Sequence, residues 1–125
     1  MPTIELSAHA KAVHNFYAKI DDRDIPAALA CFASAAVYRR PGFQEFDGLS
    51  AIEDFYRQVR DVGNGHHVVE AIVETGHEIA IRGRFEGFFS DGAPLQIRFA
   101  DFWKFAQGKV IERNSYLFQN DGRAI

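Results

Sequence analysis

Apolar positions repeat at two different intervals along this chain, and the interval changes near the middle of the sequence. In the first half, apolar residues recur three or four positions apart, which is the spacing of a helix with one buried face. In the second half, apolar and polar residues alternate, which is the spacing of a half-buried strand. Helices first and strands afterwards predict the α+β class of folds.

Two helices are predicted before the first strand. The first spans residues 5–20, where the apolar side chains form one buried face. The second spans Ile25 to Phe32, because Asp24 can cap its amino end and Pro26 is tolerated in a first helical turn. A short strand is then expected over Ala36–Tyr38.

A third helix is predicted from a capping box. Ser50 and Glu53 have the S-x-x-E spacing in which each side chain caps a backbone amide of the other. Apolar residues behind the box follow the helical interval, and the helix is expected to end near Gly63.

The second half is predicted to form strands joined by tight turns. The expected strands are His66–Val73, Glu78–Ser90, Leu95–Phe105 and Val110–Phe118. Turns are expected at Thr75-Gly76, Asp91-Gly92 and Gln107-Gly108. Asp-Gly is a strong hairpin signal because both residues accept positive φ. Successive hairpins predict an antiparallel meander that packs on the helices.

One face of the strand from Leu95 is apolar apart from a single carboxylate. Its residues are Leu95, Ile97, Phe99, Asp101, Trp103 and Phe105. A buried Asp101 must be paired, hydrogen-bonded or protonated, because burial of a lone charge is costly. Desolvation raises a carboxyl pKa, which would suit a general acid or base near neutral pH. The alternative is a structural ion pair, for instance with Arg113 on the neighbouring strand.

Other side chains could join Asp101 in a pocket. Tyr56, on an apolar helix face, could donate to Asp101 or to a ligand, although core packing explains it equally well. Adjacent residues on a strand face opposite ways, so either Arg39 or Arg40 would enter the cavity mouth. Aromatic candidates for the pocket wall are Phe16, Tyr17, Tyr38, Phe99 and Trp103.

The last strand offers Arg113 and Ser115 on one face, together with Ile111 and Leu117. This polar pair could bind a substrate oxygen, but the alternation alone leaves open which face points inward. His66 and His67 are adjacent on a strand, so they face opposite ways and cannot readily chelate one metal. His67 is a further candidate for a proton shuttle, and no metal site is expected.

Composition narrows the classes of partner. The 125 residues include twelve Phe, which indicates a thick core or an oily cavity, and they fit one domain spanning 1–125. The net charge is −3 and no basic stripe occurs, so nucleic acid is not expected as a partner. No apolar run approaches the ~20 residues that cross a membrane, and no signal peptide is recognised, so a cytoplasmic location is expected. Cofactor motifs are absent, so cofactor-free chemistry is expected.

Three stretches carry a resemblance to a known superfamily. They read VHNFYAKIDDRDIPAALACFASAAVYRRPG, then GLSAIEDFYRQV, then GRFEGFFSDGAPLQIRFADFWKFAQGKVIERNSYLF. Together they resemble the nuclear transport factor 2-like superfamily, and within it the SnoaL-like polyketide cyclases and ketosteroid isomerases. The resemblance implies a cone-shaped roll, in which three N-terminal helices pack on a curved, mostly antiparallel sheet that encloses a pocket.

The resemblance to ketosteroid isomerases implies roles for some residues of this chain, whereas other functional residues of that family have no identical match here. Asp101 matches the aspartic acid that stays protonated in that oxyanion hole. Tyr56 resembles a tyrosine of the same network. The oxyanion tyrosine falls on Phe16, unless Tyr17 substitutes for it, and the general-base aspartate falls on Arg40.

The sequence of the last strand also differs from the pattern of the SnoaL-like cyclases that the chain otherwise resembles. The cyclase pattern G-K-I-V-E-H-W-D corresponds here to GKVIERNS, which puts Arg113 at the histidine and Ser115 at the catalytic aspartate. Among the residues of limonene-type epoxide hydrolases, only Asp101 has an evident match.

Two functional hypotheses follow. The first is a cofactor-free enzyme that isomerises, cyclises or hydrolyses a small, mostly apolar ligand bearing a carbonyl or an epoxide. Asp101 would transfer the proton, Tyr56 would orient it, and Arg40 or Arg113 would stabilise oxygen charge; Asp101→Asn would then abolish turnover and leave the fold intact. The second is a binding module or dimeric scaffold without catalysis.

Homodimerisation is expected under both hypotheses. The outward face of the sheet carries Phe102, with Phe88, Tyr116 or Phe118 beside it. Clustered exposed aromatic residues on a sheet mark an interface, and the resemblance implies the same face.

Overall fold

The structure, a computed structural model, describes residues 6–119 and residue 125. Three α-helices are formed by Ala8–Asp21 (α1), Ile25–Leu29 (α2) and Leu49–Asp54 (α3). Six strands are formed by Phe32–Arg39 (β1), Phe46–Asp47 (β2), Gly65–Thr75 (β3), Glu78–Phe88 (β4), Pro94–Ala106 (β5) and Lys109–Phe118 (β6). The predicted α+β class is confirmed.

The six strands form one sheet in the order β2-β1-β6-β5-β4-β3. Neighbouring strands are antiparallel except for β1 and β6, which pair in parallel. The strands from β3 to β6 therefore form the expected meander. Irregular register in β3, β6 and β1 bends the sheet, and its concave inner face receives the helices.

The first two helices begin at side-chain caps. Ser7 accepts a hydrogen bond from the backbone amide of Ala10 at 3.0 Å, so α1 starts later than predicted, and Glu5 lies outside the described residues. Asp24 caps α2 as predicted. The helix ends earlier than expected because Phe32 already belongs to β1.

The third helix differs from its prediction at both ends. Gly48 occupies the cap position and no side chain caps the helix, so the predicted capping box is wrong, and Ser50 lies inside the helix. The helix does not reach Gly63. Instead it widens into a π-helical turn over Phe55–Val59, a local feature that often occurs at functional sites.

The predicted inner face of β5 is confirmed, since all six of its residues are buried. On β6 a bulge opposite Lys104 and Phe105 shifts the register. Because of this shift, Val110 faces inward at the start of the strand instead of Ile111, whereas Arg113 and Ser115 face inward further along. A two-residue period could not reveal an inserted residue.

Candidate functional site

Two neighbouring cavities lie against the inner face of the sheet. The inner cavity has a volume of about 30 Å³, enough for about two water molecules. The outer cavity has a volume of about 290 Å³, close to the ~300 Å³ at which small-ligand pockets begin. The two cavities share Tyr56, Arg60 and Phe85. The other inner-cavity residues are Arg40, His67, Ile97, Phe99, Asp101, Arg113, Ser115, Leu117 and Ile125.

Asp101 is buried at the wall of the inner cavity and accepts three hydrogen bonds. The Tyr17 hydroxyl donates to Oδ2 at 2.5 Å and Arg113 Nη2 donates to the same oxygen at 2.8 Å. The Ser115 hydroxyl donates to Oδ1 at 2.5 Å. A carboxyl that only accepts is ionised. The structure therefore contains the ion pair that the sequence offered as the alternative.

Opposing effects act on the pKa of Asp101. Burial raises the pKa, but the Arg113 guanidinium lowers it, as do the hydrogen bonds from Ser115 and Tyr17, and the resulting pKa lies below the ordinary carboxyl value. The expectation of a raised pKa and a protonated Asp101 is therefore wrong. Burial lowers the pKa of Arg113, but Asp101 more than reverses this and holds it well above its ordinary value.

A chain of hydroxyl groups leads from Asp101 to a second arginine. Since Ser115 gives its only hydroxyl proton to Asp101, the Tyr38 hydroxyl, 2.8 Å from Ser115 Oγ, donates to it. Arg40 Nη1 in turn donates to the Tyr38 hydroxyl at 2.8 Å. Burial raises the pKa of Tyr38 to about 12, so this phenol stays neutral. These hydrogen bonds hold Arg40 at the cavity wall. The sequence had predicted this position for either Arg39 or Arg40.

Four residues predicted to contact substrate do not line either cavity. They are Phe16, Tyr17, Tyr38 and Trp103. The Phe16 ring packs edge-on against Trp103 with 5.0 Å between centroids, and Trp103 Nε1 donates to the Tyr17 hydroxyl at 3.2 Å. These residues pack on the side of Asp101 away from the cavities and hold it in place. The other three residues predicted to contact substrate, Phe99, Arg113 and Ser115, do line the inner cavity, as do Arg40, Tyr56 and Asp101.

Tyr56 lies on the π-helical turn and borders both cavities. The prediction that Tyr56 donates to Asp101 is wrong, because the tyrosine that donates to Asp101 is Tyr17. Instead the Tyr56 hydroxyl accepts from Arg113 Nη1 at 2.6 Å. No acceptor for its own proton occurs among residues 6–119 and 125, which leaves that proton to donate to a ligand oxygen.

His67 and Asp21 form a hydrogen-bonded dyad that connects β3 to the end of α1. Asp21 Oδ1 lies 2.6 Å from His67 Nδ1, and Asp21 Oδ2 accepts from the His67 backbone amide at 2.8 Å. A carboxylate accepts only, so Nδ1 carries the ring proton and Nε2 has a free lone pair. Within the described part of the chain, Nε2 has no hydrogen-bond partner. This arrangement is that of a general base held in one tautomer.

Burial has the largest effect on the pKa of His67 and lowers it. The hydrogen bond that His67 donates to Asp21 raises the pKa, the Arg60 charge lowers it, and the net pKa lies below the ordinary histidine value. The imidazole is therefore neutral at pH 7 and able to take up a proton. His66, on the other face of the strand, is exposed as expected.

Two functional groups of the site were not singled out from the sequence, namely Asp21 and Arg60. In the sequence, Asp21 was interpreted as a residue that ends the first helix. Its contact with His67 was not predictable because the two residues are 46 positions apart. Arg60 follows the π-helical turn, whose extra residue changes the direction of the side chains after it. Only His67, already named as a possible proton shuttle, pointed toward this half of the site.

The comparisons with known proteins agree with the fold. The model of the SnoaL-like domain family matches residues 13–113, which is most of the chain. The chain belongs to the SnoaL-like domain family. No curated protein matches the sequence of this SnoaL-like domain.

Solved structures with the same fold have low sequence identity to this SnoaL-like domain. A nuclear transport factor 2-like protein of unknown function from Burkholderia pseudomallei has a TM-score of 0.83 at 19% identity, over 90% of this chain and 92% of that one. A putative SnoaL-like polyketide cyclase from Jannaschia has 0.78 at 14%, over 92% and 91%. An LEH-like epoxide hydrolase from M. tuberculosis has a TM-score of 0.76 at 16% identity, over 89% of this chain and 83% of that one. At these identities the likeness shows the fold.

Two further properties of this SnoaL-like domain concern metals and membranes. Across 6–119 and 125, no three side chains of the metal-binding types cluster together. None of the helices in that same part has the length and apolar character needed to cross a membrane.

Proposed function

We propose that this protein is a cofactor-independent acid–base enzyme acting on a small molecule with a carbonyl or epoxide oxygen. The observation that carries the proposal is the His67–Asp21 dyad, because His67 and Tyr56 both line the inner cavity. A base and a hydrogen-bond donor around one small cavity are the parts needed for proton abstraction next to a carbonyl. The reaction classes are isomerisation, cyclisation or hydrolysis.

In the proposed mechanism, His67 Nε2 removes a proton from a carbon atom next to the carbonyl group, or from a water molecule that attacks an epoxide. Negative charge develops on the substrate oxygen, and Tyr56 donates its free proton in a hydrogen bond to it. Arg113 supports this donation because it donates to the Tyr56 hydroxyl. The imidazolium then returns the proton to the product.

In this mechanism Asp101 is a positioning residue. Its carboxylate is 1% exposed and its pKa is lowered, so it is a poor proton acceptor. It holds the Arg113 guanidinium at 2.8 Å, and Arg113 in turn holds Tyr56. The role first predicted for Asp101 therefore passes to His67.

The test of the proposed function is turnover in D₂O. Wild-type protein is incubated with a panel of β-dicarbonyl compounds, enones and epoxides, and deuterium uptake and product formation are followed by NMR. We expect exchange or conversion of at least one class by the wild type and its loss in His67→Gln. A His67→Gln variant as active as the wild type on the converted substrate would contradict the proposal.

Removal of the Tyr56 hydroxyl is expected to affect catalysis more than folding. Loss of one oxyanion donor lowers kcat by about 10²–10³-fold, and we expect this effect for Tyr56→Phe on the substrate found above. The ring contacts remain, so Tm should change little. Tyr116→Phe, on the exposed outer face, is the matched control. Equal kcat in the two variants would remove Tyr56 from the mechanism.

A second candidate function is ligand binding without catalysis. The specific observation in its favour is the small inner cavity of about 30 Å³, which leaves a substrate only the outer cavity unless the wall moves. Native mass spectrometry that finds a retained ligand, together with no conversion across the whole panel, would support this alternative.

We also infer that the protein forms a homodimer through the outer face of the sheet. Phe102 is 46% exposed and Tyr116 60% exposed, and their rings meet edge to face at 5.7 Å. Phe118 is also exposed, at the end of the same face. An aromatic patch of this kind marks an interface.

The dimer is tested by Phe102→Asp. We expect a dimer at micromolar concentration for the wild type in sedimentation velocity and a monomer for the variant, because the aspartate would be buried without a partner. Lys11→Asp, at an exposed position of α1 on the other side of the sheet, is the control. A monomeric wild type would contradict the inference.

A further inference from the structure

The wall of the inner cavity carries more positive than negative charge. Three arginines line it, Arg40, Arg60 and Arg113, against one acidic side chain, that of Asp101. Arg113 and Asp101 neutralise each other at 2.8 Å. The other two arginines make no ion pair with any described carboxylate.

Arg40 is a buried cation with unused donors. It is 9% exposed, and its Nε has no hydrogen-bond partner within the described ranges. The guanidinium lies over the Phe55 ring at 4.6 Å, and its one hydrogen bond to a described residue goes to the neutral Tyr38 hydroxyl. Ring faces and a phenol offset only part of the cost of burying a charge.

Arg60 repeats this pattern at the junction of the two cavities. Its Nε is buried and has no partner in the part of the chain that the structure describes. Its guanidinium lies 5.6 Å from the centroids of both Tyr56 and Phe85. Burial lowers the pKa of Arg60 to about 10, so it remains a cation at pH 7.

We propose that the substrate carries an anionic group, either a carboxylate or an acidic enol or phenol, and that Arg40 and Arg60 bind it. The inference rests on the proposed function and names its substrate class. An oxyanion between the two guanidiniums would satisfy their free donors and neutralise their charge in a dry site. It would also place the adjoining carbon atoms beside Tyr56, which borders both cavities, with His67 on the wall of the inner one.

The outer cavity is wide enough to admit such a group. Its volume is about 290 Å³, and Arg60 lies on the wall that it shares with the inner cavity. Asp21 also borders the outer cavity, but its oxygens are engaged with His67. The wall therefore favours an acid over a neutral compound of the same shape.

The test compares two probes of nearly equal shape, benzoate and benzamide, by NMR titration of the labelled full chain. We expect benzoate to bind at least about tenfold more tightly than benzamide, since a hydrogen bond to a charged group is the stronger kind. Arg60→Gln and Arg40→Gln should each remove most of this preference. Arg57→Gln is the control, because Arg57 borders the outer cavity but is already paired with Glu53.

The outcomes separate this inference from the proposed function. Equal binding of the two probes, or loss of preference in Arg57→Gln as large as in Arg60→Gln, would overturn the anion site. Wild-type preference for benzoate without any catalysis would uphold the anion site and count against the enzyme. His67→Gln should keep the preference for benzoate. If Arg60→Gln does not fold, Arg40→Gln and the wild-type comparison decide the matter.

Discussion

Asp101→Asn should unfold at a much lower denaturant concentration than the wild type. The substitution leaves Arg113 buried without its counter-charge, and breaking one side of a buried pair costs about 3–5 kcal/mol. This replaces the expectation, made from the sequence, that the fold of the variant would stay intact. The loss is measured by urea titration at pH 7.

The double variant Asp101→Asn with Arg113→Met is the control for this effect. Removing both charges should recover much of the stability lost in Asp101→Asn, since no unpaired ion is left. A double variant as unstable as the sum of the two single variants would show that the pair does not act as a unit.

The same pair predicts a dependence of stability on pH. Because the pKa of Asp101 is lower in the folded state, its contribution is fully present above the unfolded carboxyl pKa of about 3.9 and is lost as pH falls through the folded pKa. Asp101→Asn should remove this acid-dependent part of the unfolding free energy. An unchanged profile below pH 4 would contradict an ionised Asp101.

Loss of the histidine base should produce the largest change in turnover. A positioned general base contributes about 10²–10⁴-fold, and we expect His67→Gln to lower kcat by that factor. Asp21→Asn should lower kcat as well, because an amide no longer fixes the Nδ1-protonated tautomer. Turnover is measured with the substrate identified in D₂O, and His66→Gln on the exposed face is the control.

The pH profile distinguishes a base from a structural residue. Activity should rise with pH, and the midpoint of the rise should lie below the ordinary histidine pKa of about 6.5. Because Asp21 raises this pKa and Arg60 lowers it, Asp21→Asn should move the acid limb to lower pH and Arg60→Gln to higher pH. Shifts in the opposite directions would contradict the assignment.

Much of the fold could be predicted because it depends on local patterns. The alternation of β5 correctly placed Asp101 among buried residues, and the Asp24 cap correctly placed α2. The inner face of β6 was not predictable, because a bulge inserts a residue and exchanges Ile111 for Val110. Patterns of this kind report burial but cannot report irregular register.

The candidate site was harder to predict because its chemistry depends on contacts that are distant in sequence. Burial alone argued for a raised pKa of Asp101, and only the structure shows the Arg113 and Tyr17 contacts that reverse the direction. The partner of His67 is Asp21, at a separation that no motif describes. Arg60 has no ion pair among the residues that the structure describes, and this could be seen only once the surrounding acidic side chains of those residues had been placed.

The most direct test of the account is the protonation state of His67 in the substrate-free protein, measured by ¹⁵N NMR of the imidazole over pH 4–9. We predict that at pH 7 the ring is neutral, with its proton on Nδ1 and none on Nε2, and that its pKa lies below the ordinary histidine value. A ring protonated at Nε2, or one still cationic at pH 7, would contradict the proposed base.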